Sequence, residues 1–221
     1  GIAKTGGVAE QPVSLIDLYP TLIDLCALTG ETMENDKGRP LDGHSLRPFL
    51  ENPTSNEWSG PDEVLTALYK WANYYDPAFQ SYSLRSQDWR YIRYENEKEE
   101  LYHTATDPWE LKNLAEDPEH RERLERMRTA TLNKMREIGD TGLVPESMYE
   151  GISRDGTVYD YVHNKDFPYE DVLQIALAAG NGGSGVLQKL SAAMKHDHPV
   201  MRYWGATGCT IQGEAAAAAV T

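Results

Sequence analysis

The sequence predicts an α+β unit, in which one long helix packs on a small antiparallel sheet, followed by an all-α segment of helical repeats. Three observations support this fold class. Four short segments rich in β-branched and aromatic residues lie between residues 63 and 103. A long amphipathic pattern covers residues 118–138, and shorter helical patterns recur after residue 165.

The composition is that of a globular protein and argues against several classes of function. Hydrophobic residues make up 40% and charged residues 25% of the 221 residues, and the net charge is −14. No run of about 18 apolar residues indicates a membrane span. An acidic chain without a dense Lys/Arg cluster is a poor binder of nucleic acid. The two cysteines, Cys26 and Cys209, predict neither a disulfide framework nor a zinc site. The glycine at position 1 and a helix that starts near the last residue indicate a piece of a longer protein.

The first predicted helix covers residues 14–28, and its leucines are expected to face a core. They recur at helical spacing, at Leu15, Leu18, Leu22, Leu25 and Leu28. Pro20 is tolerated only in a first turn, so the helix begins near Asp17, unless Ser14 caps it and the helix bends at Pro20. Cys26 is predicted to be a small buried residue among these leucines.

The sheet is predicted from four strand-like segments, residues 63–70, 82–86, 89–94 and 99–103. The connections between the last three are short, and residues 95–98 have the composition of a hairpin turn. An antiparallel meander is the simplest arrangement of such segments.

The long helix has clear signals at both ends. Asp117 is a natural N-cap, Pro118 suits the first helical position, and Gly139 stops the helix. Its apolar face, expected to pack on the sheet near Tyr91, consists of Leu124, Met127, Thr131, Met135 and Ile138.

A predicted linker, residues 141–165, leads into the helical segment 166–221. Helices are predicted at residues 169–179, 186–196, 199–211 and 214–220. Their shortness and their small residues resemble HEAT-type repeats. Because the sequence ends inside the last helix, Val200, Trp204 and Ile211 are expected to lack part of their packing partners.

Three segments together resemble the C-terminal part of a type I, formylglycine-dependent sulfatase. They are GIAKTGGVAEQPVSLIDLYPTLIDLC, PLDGHSLRPFL and YSLRSQDWRYIRYENEKEELYHTATDPWELKNLAEDPEH. They cover about residues 1–140 and are most similar to bacterial iduronate-2-sulfatase-like enzymes. The resemblance implies an alkaline-phosphatase-like α/β parent fold. Residues 1–58 would end its large domain and connect it to a C-terminal subdomain, residues 59–140.

By this resemblance the parent enzyme hydrolyses sulfate monoesters, with sulfated glycans as expected substrates, in the periplasm or outside a bacterial cell. It would use a formylglycine made from a C/S-x-P-x-R motif and a calcium ion held by Asp and Asn side chains. Neither cysteine begins that motif, since Ala-Leu-Thr follows Cys26 and Thr-Ile-Gln follows Cys209. The chain by itself is therefore predicted to be inactive, to bind neither cofactor, and to supply structure and part of the substrate cleft.

Four residues are the candidates for contact with the substrate. The resemblance implies that Tyr82 and the preceding loop, which includes Lys70 and Trp71, line one wall of the cleft. A tyrosine hydroxyl can bond a sugar hydroxyl, and the rings of Trp71, Tyr74 and Tyr75 offer faces for a sugar. His44 follows a turn and is the fourth candidate. The alternatives are an ordinary strand position for Tyr82, packing for Trp71 and a surface hydrogen bond for His44.

Two other functions compete with this interpretation. The helical repeats could recruit a protein partner, with the sulfatase part vestigial, or the parent could be a phosphodiesterase or phosphonate hydrolase of the same superfamily. A further pattern, His196-Asp197-His198, has metal-binding residue types. It lies in a turn between helices without a third ligand, so a structural role is favoured.

Overall fold

The computed structural model describes residues 3, 5–28, 34, 40–68, 81–94, 98–180, 184–214 and 216–217. The helices are α1 (Leu18–Leu25), α2 (Arg47–Glu51), α3 (Arg121–Ile138), α4 (Tyr149–Ile152), α5 (Val158–Val162), α6 (Tyr169–Gly180), α7 (Ser184–Met194) and α8 (Pro199–Gln212). The strands are β1 (Val64–Leu68), β2 (Ser81–Arg85), β3 (Trp89–Tyr94) and β4 (Glu99–His103). None of the described helices combines the length and apolar character needed to cross a bilayer.

The four strands form the antiparallel meander that the sequence predicts, in the order β1-β2-β3-β4. Leu84 of β2 lies opposite Tyr91 of β3, and Tyr91 lies opposite Leu101 of β4. These three side chains are fully buried on one face of the sheet, where Leu124 and Met127 of α3 join them in one apolar cluster. The strands thus bury every second side chain, α3 buries side chains three or four residues apart, and the two sets meet in one core.

The ends of α3 follow the sequence signals. The Asp117 carboxylate accepts a hydrogen bond from the main-chain nitrogen of Glu119 at 3.0 Å, and Pro118 begins a 3-10 turn that leads into α3. Gly139 ends the helix with a φ of +58°, a left-handed conformation that favours glycine. Ile138 is the exception on the predicted apolar face, because its side chain is 42% exposed.

The prediction that the leucines of the first helix face a core is wrong for the described chain. A 3-10 turn at Leu15–Asp17 precedes α1, and Leu15, Leu18, Leu22 and Leu28 are all more than half exposed. Cys26 is also exposed rather than buried.

The buried side of α1 consists of Pro20, Thr21 and Ile23, and polar groups there hold the loop that follows the helix. The Asp17 carboxylate accepts hydrogen bonds from the main-chain nitrogens of Ser14 and His44, at 2.7 and 2.8 Å. The Thr21 hydroxyl accepts one from the main-chain nitrogen of Leu46 at 2.8 Å. These bonds fix the segment before α2 and leave the leucine face of α1 outward.

The helical segment packs directly against the sheet and α3. Its buried residues share one cluster with Tyr82 of β2 and Met135 of α3. Val200 and Trp204 are buried, and the Trp204 indole nitrogen donates to the Leu143 carbonyl oxygen at 2.8 Å. The expectation that these two side chains lack partners is therefore wrong. The predicted linker supplies the covering residues, since Leu143, Val144 and Val162 are buried in that cluster.

Candidate functional site

Tyr82, Asp140 and Tyr169 form a polar junction in which Tyr82 and Asp140 are buried and Tyr169 is partly buried. The Tyr82 hydroxyl donates to the Asp140 carboxylate at 2.8 Å. The Asp140 main-chain nitrogen donates to the Tyr169 hydroxyl oxygen at 3.0 Å, and that hydroxyl donates to the Met135 carbonyl oxygen at 2.6 Å. The junction therefore links β2, the end of α3 and the start of α6.

Local sequence explains why these groups meet. The alternation of β2 turns Tyr82 to the same face as Leu84. The left-handed Gly139 reverses the chain, so that Asp140 follows the end of α3 and caps the next turn by accepting from the Gly142 nitrogen at 3.1 Å. Burial is the main cause that raises the pKa of Tyr169, followed by the charge of Asp140. Tyr169 thus stays a neutral donor at physiological pH.

A cavity of about 30 Å³ adjoins the polar junction. It is lined by Tyr82, Arg93, Met135, Leu143, Leu173, Ala176, Leu177 and Trp204. This volume accommodates one or two water molecules and is far too small for a sugar. The arrangement is suited to holding elements together.

Tyr82, the first of the predicted site residues, lies in this junction. It is only 7% exposed and its hydroxyl is committed to Asp140. This placement favours the interpretation as an inward strand residue, and substrate contact by Tyr82 stays a prediction. Lys70 and Trp71 lie outside the described residues, as do Tyr74 and Tyr75.

His44 lies at a different packing site, between α1 and α2. Its main-chain nitrogen is bonded to Asp17, and its ring centroid lies 5.8 Å from that of Trp58. Its Nδ1 is buried and has no hydrogen-bond partner among the residues that the structure describes. Contact of His44 with a substrate also stays a prediction.

Glu99 has a structural role that its position beside a predicted hairpin turn does not reveal. Its carboxylate accepts two hydrogen bonds from the Arg128 guanidinium of α3, at 2.8 and 2.6 Å, and one from the Tyr91 hydroxyl. Burial pushes the pKa of Glu99 upward, but the bonds from Arg128 and Tyr91 outweigh it and hold this pKa below its ordinary value. The carboxylate is therefore ionised at neutral pH and ties α3 to β4.

A surface cleft of about 620 Å³ lies beside the β2–β3 hairpin. Its lining residues are Gln11, Pro12, Pro61, Asp62, Glu63, Ser86, Gln87, Asp88, Trp89, Arg123, Arg126 and Lys134. The cleft balances three carboxylates against three cationic groups. The Arg123 guanidinium lies 5.1 Å from the centre of the Trp89 ring, and Arg126 pairs with Glu63 at 3.5 Å. Sequence reasoning missed this cleft, because its residues come from four distant segments.

The described part of the chain offers no group of three or more His, Cys, Asp or Glu side chains that could hold a metal ion. In the His196-Asp197-His198 turn, the His196 Nδ1 accepts a hydrogen bond from the main-chain nitrogen of His198 at 3.0 Å. The His198 ring lies beside Tyr161 and Phe167. This geometry supports the structural interpretation of that turn.

The sheet, α3 and the polar junction define an α+β unit with a helical extension docked on it. Residues 1–137 match the family model described as "N-sulphoglucosamine sulphohydrolase, C-terminal". The chain therefore belongs to this family of sulfatase C-terminal domains, and the resemblance to the C-terminal part of a sulfatase is confirmed.

Two curated relatives agree with this assignment. The chain is 31% identical over 117 residues to arylsulfatase K of Danio rerio, an alignment that covers 51% of this chain and 20% of that protein. It is 32% identical over 123 residues to choline-sulfatase of Rhizobium meliloti (strain 1021), covering 53% of this chain and 20% of that protein. The chain thus spans about a fifth of the length of each relative.

Solved structures show partial similarity. A putative sulfatase from Bacteroides thetaiotaomicron superposes with a TM-score of 0.44 at 27% identity, covering 55% of this chain and 24% of that one. A 2-O GAG sulfatase gives 0.46 at 25% identity, covering 69% and 29%. The phosphonate monoester hydrolase of Agrobacterium radiobacter gives 0.39 at 25% identity, covering 53% and 23%. All three TM-scores are below 0.5, so the assignment to the family depends on the sequence comparisons.

Proposed function

We propose that the chain is the C-terminal part of a sulfuric ester hydrolase and provides structure and part of the substrate cleft. The observation that carries the proposal is the family match over residues 1–137, which includes all four strands and most of α3. Sulfated glycans are the proposed substrates, and bacterial iduronate-2-sulfatase-like enzymes are the proposed subgroup. The periplasm or the extracellular space is the proposed location. The match to the sulfatase family and the sulfatase relatives favour this function over a phosphodiesterase or a phosphonate hydrolase.

The exposed leucine face of α1 supports a division of this chain between two domains of the parent enzyme. Residues 1–58 are proposed to complete the large domain, and residues 59–140 to form the C-terminal subdomain. Leu18 and Leu22 of α1 and Leu15 of the preceding 3-10 turn are all exposed and follow one another at a spacing of three or four residues. An apolar surface of this kind marks an interface, and we assign it to the large domain.

The helical segment is proposed to belong to a HEAT-like array. In this proposal residues 141–165 connect it to the subdomain, residues 166–221 begin the array, and the outer helix faces are available to a protein partner. The close packing of α8 on α6 and α7 supports an array of stacked helices.

Calcium and formylglycine are proposed to belong to the rest of the parent enzyme. This proposal is consistent with the described residues, which contain no group of three or more His, Cys, Asp or Glu side chains placed to hold a metal ion. No C/S-x-P-x-R motif is present in the sequence. When present in the parent enzyme, formylglycine would supply the nucleophile and a bound calcium ion the Lewis acid for sulfate ester hydrolysis. Tyr82, Lys70, Trp71 and His44 remain the proposed contributors to the cleft from this chain.

The proposal is tested by assaying the purified 221-residue chain beside the product of the intact gene. With an aryl sulfate and calcium, we expect turnover by the gene product and none by the chain. With a phosphonate monoester, we expect much weaker turnover by the gene product than with the aryl sulfate. Sulfate hydrolysis that repeatedly co-purifies with the chain alone would contradict its inactivity. A preference of the gene product for the phosphonate would contradict the sulfatase assignment.

A further inference from the structure

Helix α8 begins at a partly buried histidine whose ring lies against two aromatic side chains. His198 is the N-cap residue of α8. Its ring centroid lies 5.2 Å from that of Phe167, edge to face, and 6.0 Å from that of Tyr161, nearly parallel. Its Nε2 lies 3.3 Å from the Tyr161 hydroxyl oxygen. Its Nδ1 is buried and has no hydrogen-bond partner within the described ranges.

This environment suits a neutral imidazole better than a charged one. A neutral ring carries one N–H group, which can reside on Nε2 and donate to the Tyr161 hydroxyl oxygen. The buried Nδ1 then keeps only an unpaired lone pair. Protonation adds a second, charged N–H group at Nδ1, where no described acceptor receives it. An unpaired charged donor in a buried position costs far more than an unpaired lone pair.

The charges around His198 also favour the neutral form of its ring. Arg202 lies on the same helix as His198, one turn further along α8. Its guanidinium donates to the carbonyl oxygens of His196 and Asp197, at 2.8 and 2.7 Å. The N-terminus of a helix is also its positive end. Burial, then the charges of His196 and Arg202, lower the pKa of His198.

The elements packed against the ring bring no compensating negative charge. From α5 the facing group is the Tyr161 phenol, whose pKa is raised by burial, so that it remains uncharged at neutral and acidic pH. From the segment after α5 the facing group is the apolar ring of Phe167. Among the described residues, no carboxylate forms a hydrogen bond or ion pair with the imidazole.

We propose that His198 is a proton-sensitive contact that holds the start of α8 against residues 158–167 while its ring is neutral and releases it when the ring is protonated. The direction follows from linkage. A base that titrates lower in the folded chain than in the unfolded chain stabilises the fold at neutral pH. That contribution is lost as the pH falls below the unfolded value of about 6.5 and is gone below the lowered folded value.

The test uses the 221-residue chain and two matched variants. Amide hydrogen exchange, corrected for the intrinsic effect of pH, is measured over α5 and the first two turns of α8 between about pH 7.5 and about pH 5. We expect protection there to fall about tenfold for each unit by which the pKa of His198 in the folded chain lies below its pKa in the unfolded chain. The substitution His198→Asn supplies a favourable uncharged N-cap and should remove this pH dependence. The control His120→Asn changes another residue that precedes a helix, α3, and should retain it.

A direct NMR titration of the His198 ring in the unsubstituted chain keeps the proposal falsifiable if His198→Asn fails to fold. The proposal predicts a titration midpoint below about 6.5, with protection falling between about pH 6.5 and that midpoint. A midpoint at or above about 6.5 would overturn it. So would protection that is independent of pH, or a pH dependence that persists unchanged in His198→Asn.

Discussion

The substitution Gly205→Ala tests the close contact that joins α8 to α7. A Cβ atom at position 205 would lie 2.7 Å from the main-chain nitrogen of Met194 and 2.8 Å from the carbonyl oxygen of Leu190. Both are main-chain atoms, so rotation of a side chain cannot relieve the overlap. Helix α8 would have to withdraw from α7 to restore an ordinary contact distance.

Two opposing effects set the magnitude. Overpacking in a well-packed core costs about 1–3 kcal/mol. Alanine is favoured over glycine inside a helix by about 0.8–1 kcal/mol, which offsets part of that cost. We therefore expect Gly205→Ala to lower the free energy of unfolding by up to about 2 kcal/mol, which corresponds to a fall in the melting temperature of up to about 8 °C.

The control is Gly185→Ala in α7, where the added Cβ meets nothing within 4 Å. This change keeps the propensity gain without the overlap, so we expect unchanged or slightly increased stability. Both variants are compared with the original chain by urea unfolding followed by far-UV circular dichroism. Equal stability of the two variants would refute the argument that the glycine is required for the helix contact.

Two further predictions concern the interface between the sheet and α3. The substitution Leu124→Ala should lower the free energy of unfolding by about 2–5 kcal/mol because it opens a cavity in a buried cluster. The exposed control Leu111→Ala should change it by less than about 0.5 kcal/mol; similar losses in both would contradict the packing. Because the pKa of Glu99 is lowered in the folded chain, its contribution to stability is present above about pH 4.5 and is lost as the pH falls through the folded value. The substitution Arg128→Gln should therefore flatten the acid limb of a stability-versus-pH profile, and an unchanged limb would contradict the role of this ion pair.

The sheet and α3 were predictable because their signals are local. The strand β3 alternates Tyr91 inward with its neighbours outward, and Asp117 and Gly139 mark the ends of the long helix through cap chemistry that needs no distant partner. The predicted bounds of β2, residues 82–86, differ by one residue at each end from the observed strand, Ser81–Arg85. Such patterns specify an element and its buried face whenever the apolar face is the one that packs against the neighbouring element.

The first helix shows where such a pattern gives the wrong face. Leucines at helical spacing indicate an apolar side, but the pattern does not say which surface covers that side. In the described chain the opposite side is buried, because Asp17 and Thr21 satisfy main-chain nitrogens of the following loop. Those bonds join residues more than 20 positions apart, and no local pattern in the sequence reports them.

The polar junction was unpredictable for a related reason. The family motif around Tyr82 predicts a position in the wall of the substrate cleft. In the structure the Tyr82 hydroxyl donates a hydrogen bond to Asp140, 58 positions later. Asp140 follows a helix end and has the appearance of an ordinary turn residue. Only the fold brings the two together, and a buried tyrosine–aspartate bond gives no periodic signal.

The buried core of the chain continues past the residue at which the family match ends. The match ends at residue 137, whereas the buried cluster that contains Tyr82 and Met135 continues through Val172 and Trp204. The hydrogen bonds from the Tyr82 hydroxyl to Asp140 and from the Tyr169 hydroxyl to the Met135 carbonyl oxygen cross the same boundary. A buried donor or acceptor that loses its partner costs about 1–3 kcal/mol. The helical extension and the sheet therefore stabilise one another through this shared cluster and the polar junction.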